Sequence, residues 1–130
     1  MTIIPIGREG DIVAARQKGR ELAGSIGFSQ TEQTLIATAI SEIARNIIEH
    51  AGTGEVELGV IYDRGRSGIL IVARDQGPGI TDLEAAMRDG FSTRGSLGLG
   101  LPGARRLVDQ LDVTSRPGHG TTVTMRKWVQ

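Results

Sequence analysis

Four isoleucines, Ile36, Ile40, Ile43 and Ile47, recur at three- and four-residue intervals between Ser29 and Ala51. That spacing puts them on one side of an α-helix, and such a stripe needs a second layer to cover it. Ser29-Gln-Thr-Glu32 predicts a capping box at the start of the helix, each side chain satisfying the other's orphan N–H. Gly52 and Gly54 predict its end near Ala51.

The remaining elements follow from the same kind of pattern. Thr2–Ile6 alternates as a short strand. Asp11 predicts the cap of a first helix running to Ile26, with Ile12, Ala15, Leu22 and Ile26 on one side. Glu55–Tyr62 alternates as a strand, Asp63–Gly68 reads as a hairpin turn, and the apolar run Ile69–Ala73 predicts a central strand buried on both faces. Gln76–Gly79 is a glycine loop. Thr81-Asp-Leu-Glu84 predicts a second capping box and a short helix to Arg88, followed by irregular chain over 90–97. Pro102 suits the first position of a helix that runs to about Leu111. Val113–Ser115, a turn over 116–120 and Thr121–Trp128 complete a second hairpin. The order β, α, α, β, β, short α, α, β, β predicts an α+β fold: a two-layer sandwich with a mixed, mostly antiparallel sheet and helices on one face.

The chain has 130 residues, which predicts a single domain over 1–130. It has no cysteine, which excludes a disulfide framework, a thiolate metal site and a cysteine nucleophile. No run approaches the roughly 20 apolar residues of a membrane span, and the start lacks the pattern of a secretory signal, so the expected location is cytoplasmic. Fifteen basic residues balance fifteen acidic ones, and the only aromatic residues are Phe28, Tyr62, Phe91 and Trp128. A nucleic-acid surface would show a basic excess or a stacking platform, so neither nucleic acid nor membrane is an expected partner. Residues 1–65 carry 6 basic and 9 acidic side chains and 66–130 carry 9 and 6, so the second half could face a small anion.

Four groups of residues could carry chemistry. Glu42, Asn46 and His50 stand at i, i+4 and i+8 beside the isoleucine stripe, as if bordering a cavity, although polar pairs of this kind are also ordinary on half-exposed helices. Asp75 ends the buried strand, with Gly77 and Gly79 next to it; this is either a carboxylate able to accept from an exocyclic amine or a plain turn. Glycines number 19, five of them within 90–103, and Gly95-Ser-Leu-Gly98-Leu-Gly100 runs into a helix start. Free N–H groups and the helix dipole make such a ribbon an anion cradle. Gly98–Gly103 matches G-x-G-x-x-G only formally, because no strand precedes it and no acidic residue follows about 20 positions on. The P-loop pattern is absent, and so is a kinase catalytic loop. Thr121 follows Gly118-His-Gly120 in the last hairpin. His50 and His119 lack a third convergent ligand and are not expected to bind metal.

Taken in order, Glu42-x-x-x-Asn46, Asp75-x-Gly77-x-Gly79, Gly95–Gly100 and Gly118-x-Gly120-Thr121 resemble the four boxes of the GHKL ATPase/kinase superfamily with its Bergerat ATP-binding fold, over about residues 11–128. Within it, the segments DIVAARQ (11–17), TAISEIARNI (38–47), RDQGPGI (74–80), DGFSTRGSLGLGLPGARRLVD (89–109) and the late KW (127–128) are similar to RsbT-type serine/threonine switch kinases of the stressosome and, more distantly, to anti-sigma factor kinases. The resemblance implies ATP and Mg²⁺ as cofactors. It makes Glu42 the catalytic carboxylate and Asn46 the Mg²⁺ ligand. Asp75 would bond the adenine amine with Gly77 and Gly79 near the base. Gly95, Gly98 and Gly100 would bind the phosphates, and Thr121 would reach adenine through water. Arg94 and Arg105 flank the phosphate loop; either could offset γ-phosphate charge or be solvated. Residues 80–94 would form a short ATP lid. The implied partners are STAS-domain substrate proteins and a metal-dependent phosphatase that the released kinase activates. The alternatives are an anti-sigma binding module tuned by ATP and a nucleotide-free structural domain.

Overall fold

A computed structural model describes residues 1–77 and 100–130. Five strands, β1 (Thr2–Ile6), β2 (Gly54–Asp63), β3 (Arg66–Asp75), β4 (Gln110–Ser115) and β5 (Thr121–Trp128), form one sheet in the order β1-β2-β3-β5-β4. All four pairings among the described residues are antiparallel, and the apolar run over 69–73 lies in the central strand. Three described helices complete the fold: α1 (Glu9–Ser25), α2 (Gln30–His50) and α3 (Gly100–Leu107).

Register assigns the two faces. Residues paired across antiparallel strands project to the same side. Leu58, Ile71, Met125 and Leu111 make one cross-strand row, and Ile4, Val56, Ala73, Val123 and Val113 the next. Both rows join the core with Ile12, Ile36, Ile40, Ile43 and Ile47, so the helices cover this face, as the two-layer reading predicts. The other face is polar: Arg74 pairs with Glu55 at 3.2 Å and Glu57 at 2.8 Å. Val72, on that face, is still 7% exposed, set in register between Glu57 and Thr124. The run over 69–73 is thus buried on the helix side, while on the other face Val72 is covered but Leu70, between Gly59 and Arg126, is only half-buried.

Several boundaries differ from expectation. Asp11 is not the cap of α1; it is the third helical residue, and its Oδ2 accepts from Gly7 N at 2.9 Å and Arg8 N at 3.1 Å. Ser29 caps α2 by accepting from Glu32 N at 3.2 Å, but Glu32 does not complete a capping box, since its Oε2 is buried without a partner among the described residues. Pro102 is the third residue of α3 rather than the first, and the helix ends at Leu107 because β4 begins at Gln110. The β2–β3 hairpin needs only a two-residue loop, Arg64-Gly65, with φ of 52° and 79°. Positive φ at both central residues is the turn whose twist matches flanking strands. The second predicted capping box, Thr81–Glu84, the helix to Arg88 and the 80–94 lid lie outside the described residues.

α1 and α2 meet closely at one point. A Cβ on Gly19 would collide with Cδ1 of Ile40, which is fully buried. Glycine costs a helix about 1 kcal/mol relative to alanine, so its presence here is set by packing and not by propensity. Gly19→Ala is expected to lower stability by about 1–3 kcal/mol through overpacking. Ile40→Val removes the colliding methyl, so the double variant should recover most of that loss. Denaturant midpoints of the two single variants and the pair test this; strict additivity would contradict it.

Candidate active site

The end of the sheet carries a third row on the helix-covered face: Ile6, Gly54, Asp75, Thr121 and Ser115. A Cβ on Gly54 would strike the Arg74 carbonyl and approach Ile47 Cγ2 at 2.8 Å, so β2 lies hard against both α2 and β3 here. Ile6 at the β1 end of the row is still core, whereas Asp75, Thr121 and Ser115 on the other three strands are polar and half-buried.

Asp75 is fixed by backbone. Its Oδ1 accepts from Gly77 N at 2.9 Å and from Thr121 N at 3.2 Å. Among the described residues no donor reaches Oδ2. The two N–H groups come from different stretches of chain, the loop after β3 and the start of β5, so they restrain the carboxylate together. Gly120 makes this possible: its φ is +86°, and a Cβ there would collide with the Asp75 carbonyl oxygen. Gly118 also has positive φ, at +79°. Next in the row, Thr121 Oγ1 lies 2.9 Å from Ser115 Oγ, which also lies 3.2 Å from the Gly120 carbonyl.

Gly77 behaves differently from a residue that merely opens space. A Cβ on it would lie 2.6 Å from Ala51 Cβ and 3.1 Å from the His50 carbonyl. Its bare Cα is packed against the end of α2, which ties the strand-end loop to the long helix. Gly52, at φ +85°, terminates that helix, donating from its N–H to Ile47 O at 2.9 Å.

Glu42, Asn46 and His50 are half-buried on α2, along one border of its isoleucine stripe. Burial pushes the Glu42 carboxyl above the ordinary carboxylate value; Arg45 opposes this and Glu49 adds to it. Arg45 is held at the same time by Glu9, at 3.1 Å. A half-desolvated carboxylate with a raised pKa is suited to taking up a proton. Gly100 is the first residue of α3, which packs against α2, and Arg105 is exposed on that helix. Gly79, Gly95, Gly98 and Arg94 lie outside the described residues.

The structure thus joins Asp75, Gly77 and Thr121 directly, sets Glu42 and Asn46 on the helix that Gly77 packs against, and leaves Arg105 in solvent. Sequence reasoning missed Ser115 and Gly54. The signal for Ser115 was available: a hairpin centred on 116–120 pairs it with Thr121. An open depression of about 150 Å³ lies at the same strand ends, bordered by Arg74, Thr114, Arg116, His119 and Thr122. Asp75, Ser115 and Gly120 also line it, so it adjoins the polar row. No described helix is long and apolar enough to cross a membrane.

Comparisons with known proteins bear on this arrangement. Residues 8–127 match the histidine kinase-like ATPase domain. The chain is 51% identical over 122 residues to the serine/threonine-protein kinase RsbT of Bacillus subtilis, covering 94% of this chain and 92% of that protein. It is 39% identical over 100 residues to an anti-sigma F factor of Caldanaerobacter subterraneus, covering 72% and 68%. Among solved structures, the RsbU and RsbW domains of Rv1364c from Mycobacterium tuberculosis align with TM-score 0.62 and 20% identity; 98% of this chain is covered, but the chain spans only 32% of that protein. The mycobacterial sensor histidine kinase MprB aligns with TM-score 0.57 and 19% identity, covering 95% of each. At that identity the two structures speak to the fold alone.

Two predictions follow from the geometry. Gly120→Ala should destabilise the chain by about 1–3 kcal/mol, the range for a strained backbone position, and should break the Thr121–Asp75 link. Loss of slow exchange at the Thr121 amide reports that link; a fully stable variant with a protected amide would contradict it. Glu42→Gln should stabilise the chain at neutral pH. Because the folded pKa of Glu42 is raised, the native state holds the proton more tightly, and stability falls as pH rises from about 4.5 through the folded value. Denaturation of both forms from pH 4 to 8 tests the sign; a gap that narrows with pH would contradict it.

Proposed function

This chain belongs to the histidine kinase-like ATPase domain family, and from that membership we propose that it transfers the γ-phosphate of ATP to serine or threonine of STAS-domain partner proteins in a stress-signalling partner switch, and that once released it activates a metal-dependent protein phosphatase. The coarser statement, an ATP-dependent serine/threonine protein kinase of a partner switch, rests on the 51% identity to RsbT across almost the whole chain. The observation that best supports nucleotide binding at this site is the Asp75 carboxylate, clamped through Oδ1 by two backbone amides.

In this reading Asp75 accepts from the adenine amine, with Gly77 and Gly79 beside the base and Thr121 reaching it through water. Gly95, Gly98 and Gly100 offer backbone N–H groups to the phosphates, aided by the positive end of α3. Arg105 could add charge at the same end. Asn46 holds Mg²⁺, which neutralises phosphate charge when bound. The donors fit such an ion: Asn46 supplies a hard neutral oxygen, and no three His, Asp or Glu side chains gather among the described residues. Mg²⁺ characteristically takes most of its remaining ligands from phosphate and water.

Phosphoryl transfer asks the protein for positioning and charge neutralisation more than for covalent chemistry. Glu42 orients the acceptor hydroxyl and takes its proton as the hydroxyl oxygen forms the new bond to phosphorus. The bond to the bridging oxygen breaks, and ADP leaves with that electron pair. A second reading, an anti-sigma factor whose docking is tuned by ATP, draws on the 39% identity to an anti-sigma F factor. Tight binding of a sigma factor without phosphorylation of a STAS protein would favour it.

The test is incubation with labelled Mg-ATP and candidate STAS proteins, with mass mapping of the modified residue. Glu42→Ala should leave ATP affinity nearly intact and reduce transfer by about 10²–10⁴-fold, the usual worth of a general base. Asp75→Asn should weaken ATP binding by roughly 10–150-fold, the worth of a charged hydrogen bond. The acid limb of the rate profile should lie above the ordinary carboxylate range, since Glu42 must be ionised to accept the proton. Undiminished transfer by Glu42→Ala would remove Glu42 from this role.

A further inference from the structure

Arg45 stands between carboxylates on two helices. Along α2 it follows Glu42 by three residues, a spacing that makes the two side chains neighbours on the helix surface, with the acid on the favoured N-terminal side. Across the gap to α1, its Nη1 lies 3.1 Å from Glu9 Oε1. Among the described residues the pair across the gap is formed and the pair along the helix is not. Glu9 is well placed for this. It is the first residue of α1, where the helix dipole favours a negative side chain. The turn before it is fixed, because Asp11 Oδ2 accepts from the amides of Gly7 and Arg8.

Glu42 is left half-buried with its compensating cation drawn toward α1. Burial raises its hold on a proton, Arg45 counters this, and Glu49 adds to it. The other charged groups on the surrounding elements are engaged elsewhere or solvated. On α1, Arg20 donates to Thr34 at 2.9 Å and Asp11 is taken up by amides. On β2, Glu55 and Glu57 pair with Arg74 on the far face of the sheet. On β3, Asp75 is bound by Gly77 and Thr121. On α3, Arg105 and Arg106 are exposed, and His50 lies two turns further along α2. The position of one guanidinium therefore governs how far the charge on Glu42 is compensated.

We infer that Glu9 is a positioning residue for phosphoryl transfer: by holding the Arg45 guanidinium against α1, it keeps that charge off Glu42 and leaves the Glu42 carboxylate a stronger acceptor for the proton of the incoming hydroxyl. The inference rests on the reading in which Glu42 is the base. Without Glu9, the guanidinium turns back along α2 to Glu42. A carboxylate paired with a cation is favoured in its ionised form, which weakens it as a base. The Glu9–Arg45 pair is 71% and 40% exposed, so its effect is modest and salt screens it.

The experiment follows the Glu42 side-chain carboxyl carbon by NMR through a pH titration of the wild type, Glu9→Gln, Arg45→Gln and the double variant. Both single variants break the same link between α1 and α2, so a merely structural pair moves the Glu42 midpoint the same way in each. The inference predicts opposite movements. Glu9→Gln should lower the midpoint, because Arg45 is released to Glu42, and Arg45→Gln should raise it. The double variant should match Arg45→Gln alone, and about 1 M sodium chloride should shrink the Glu9→Gln difference. Transfer from Mg-ATP to the STAS protein found by labelling should slow by about two- to fivefold in Glu9→Gln at neutral pH, the worth of an exposed ion pair, with the KM for ATP unchanged. Midpoints that move together, or do not move, overturn the inference and leave the assignment of Glu42 standing. Midpoints that move apart while Glu9→Gln and Glu42→Ala both transfer at the wild-type rate overturn Glu42 as the base, and with it the role of Glu9.

Discussion

The structure depends on one contact between backbone and carboxylate: Asp75 Oδ1 held by the amides of Gly77 and Thr121. Those amides belong to different stretches of chain, and the bond to Thr121 spans the joint between β3 and β5. It requires the β4–β5 turn to bring Gly120 against the Asp75 carbonyl, an approach any side chain would prevent. The glycines at 54, 77 and 120 thus act together. Each brings a backbone close to this strand end, and between them they bind β2, β5 and the end of α2 to a single carboxylate.

The helix side has the opposite character. The stripe of α2 is fully apolar and buried, whereas its border carries Glu42, Asn46 and His50, half-exposed and without ion pairs among the described residues. Burial works against the charge on Glu42, and Arg45, the nearest compensating cation, is shared with Glu9. A carboxylate kept where ionisation is unfavourable does little for folding, and positions of that kind are enriched in functional sites. The fold supplies rigidity at Asp75 and leaves poorly compensated charge at Glu42; in the proposed function this divides binding from chemistry along two elements joined by Gly77.

Much of this was legible in the sequence because it was periodic. The spacing of Ile36, Ile40, Ile43 and Ile47 gave α2 and its buried face; alternation gave β1 and β2; the apolar run over 69–73 gave the centre of the sheet. Misreadings came where one side chain had more than one way to satisfy the same backbone. Asp11 sits at the third helical position and reaches back to the amides of Gly7 and Arg8, and Glu32 leaves its return bond unmade. Pro102 tolerates the third position of α3 as well as the first, since N–H groups in the first turn have no helical acceptor. The packing of Gly77 against Ala51 and the His50 carbonyl was not legible, because it depends on where the end of α2 meets the loop after β3. Ser115 carries no signal as a lone serine; only the predicted hairpin over 116–120 sets it opposite Thr121.

The most direct measurement is a crystal structure of the chain grown with Mg²⁺ and a non-hydrolysable ATP analogue. The account predicts the exocyclic amine of the base bonded to Asp75 Oδ2, the Asp75 Oδ1 bonds to Gly77 and Thr121 intact, and the triphosphate directed toward Asn46 and the start of α3. A base bound elsewhere, or an Asp75 carboxylate turned wholly into the protein's own donors while nucleotide is present, would contradict it.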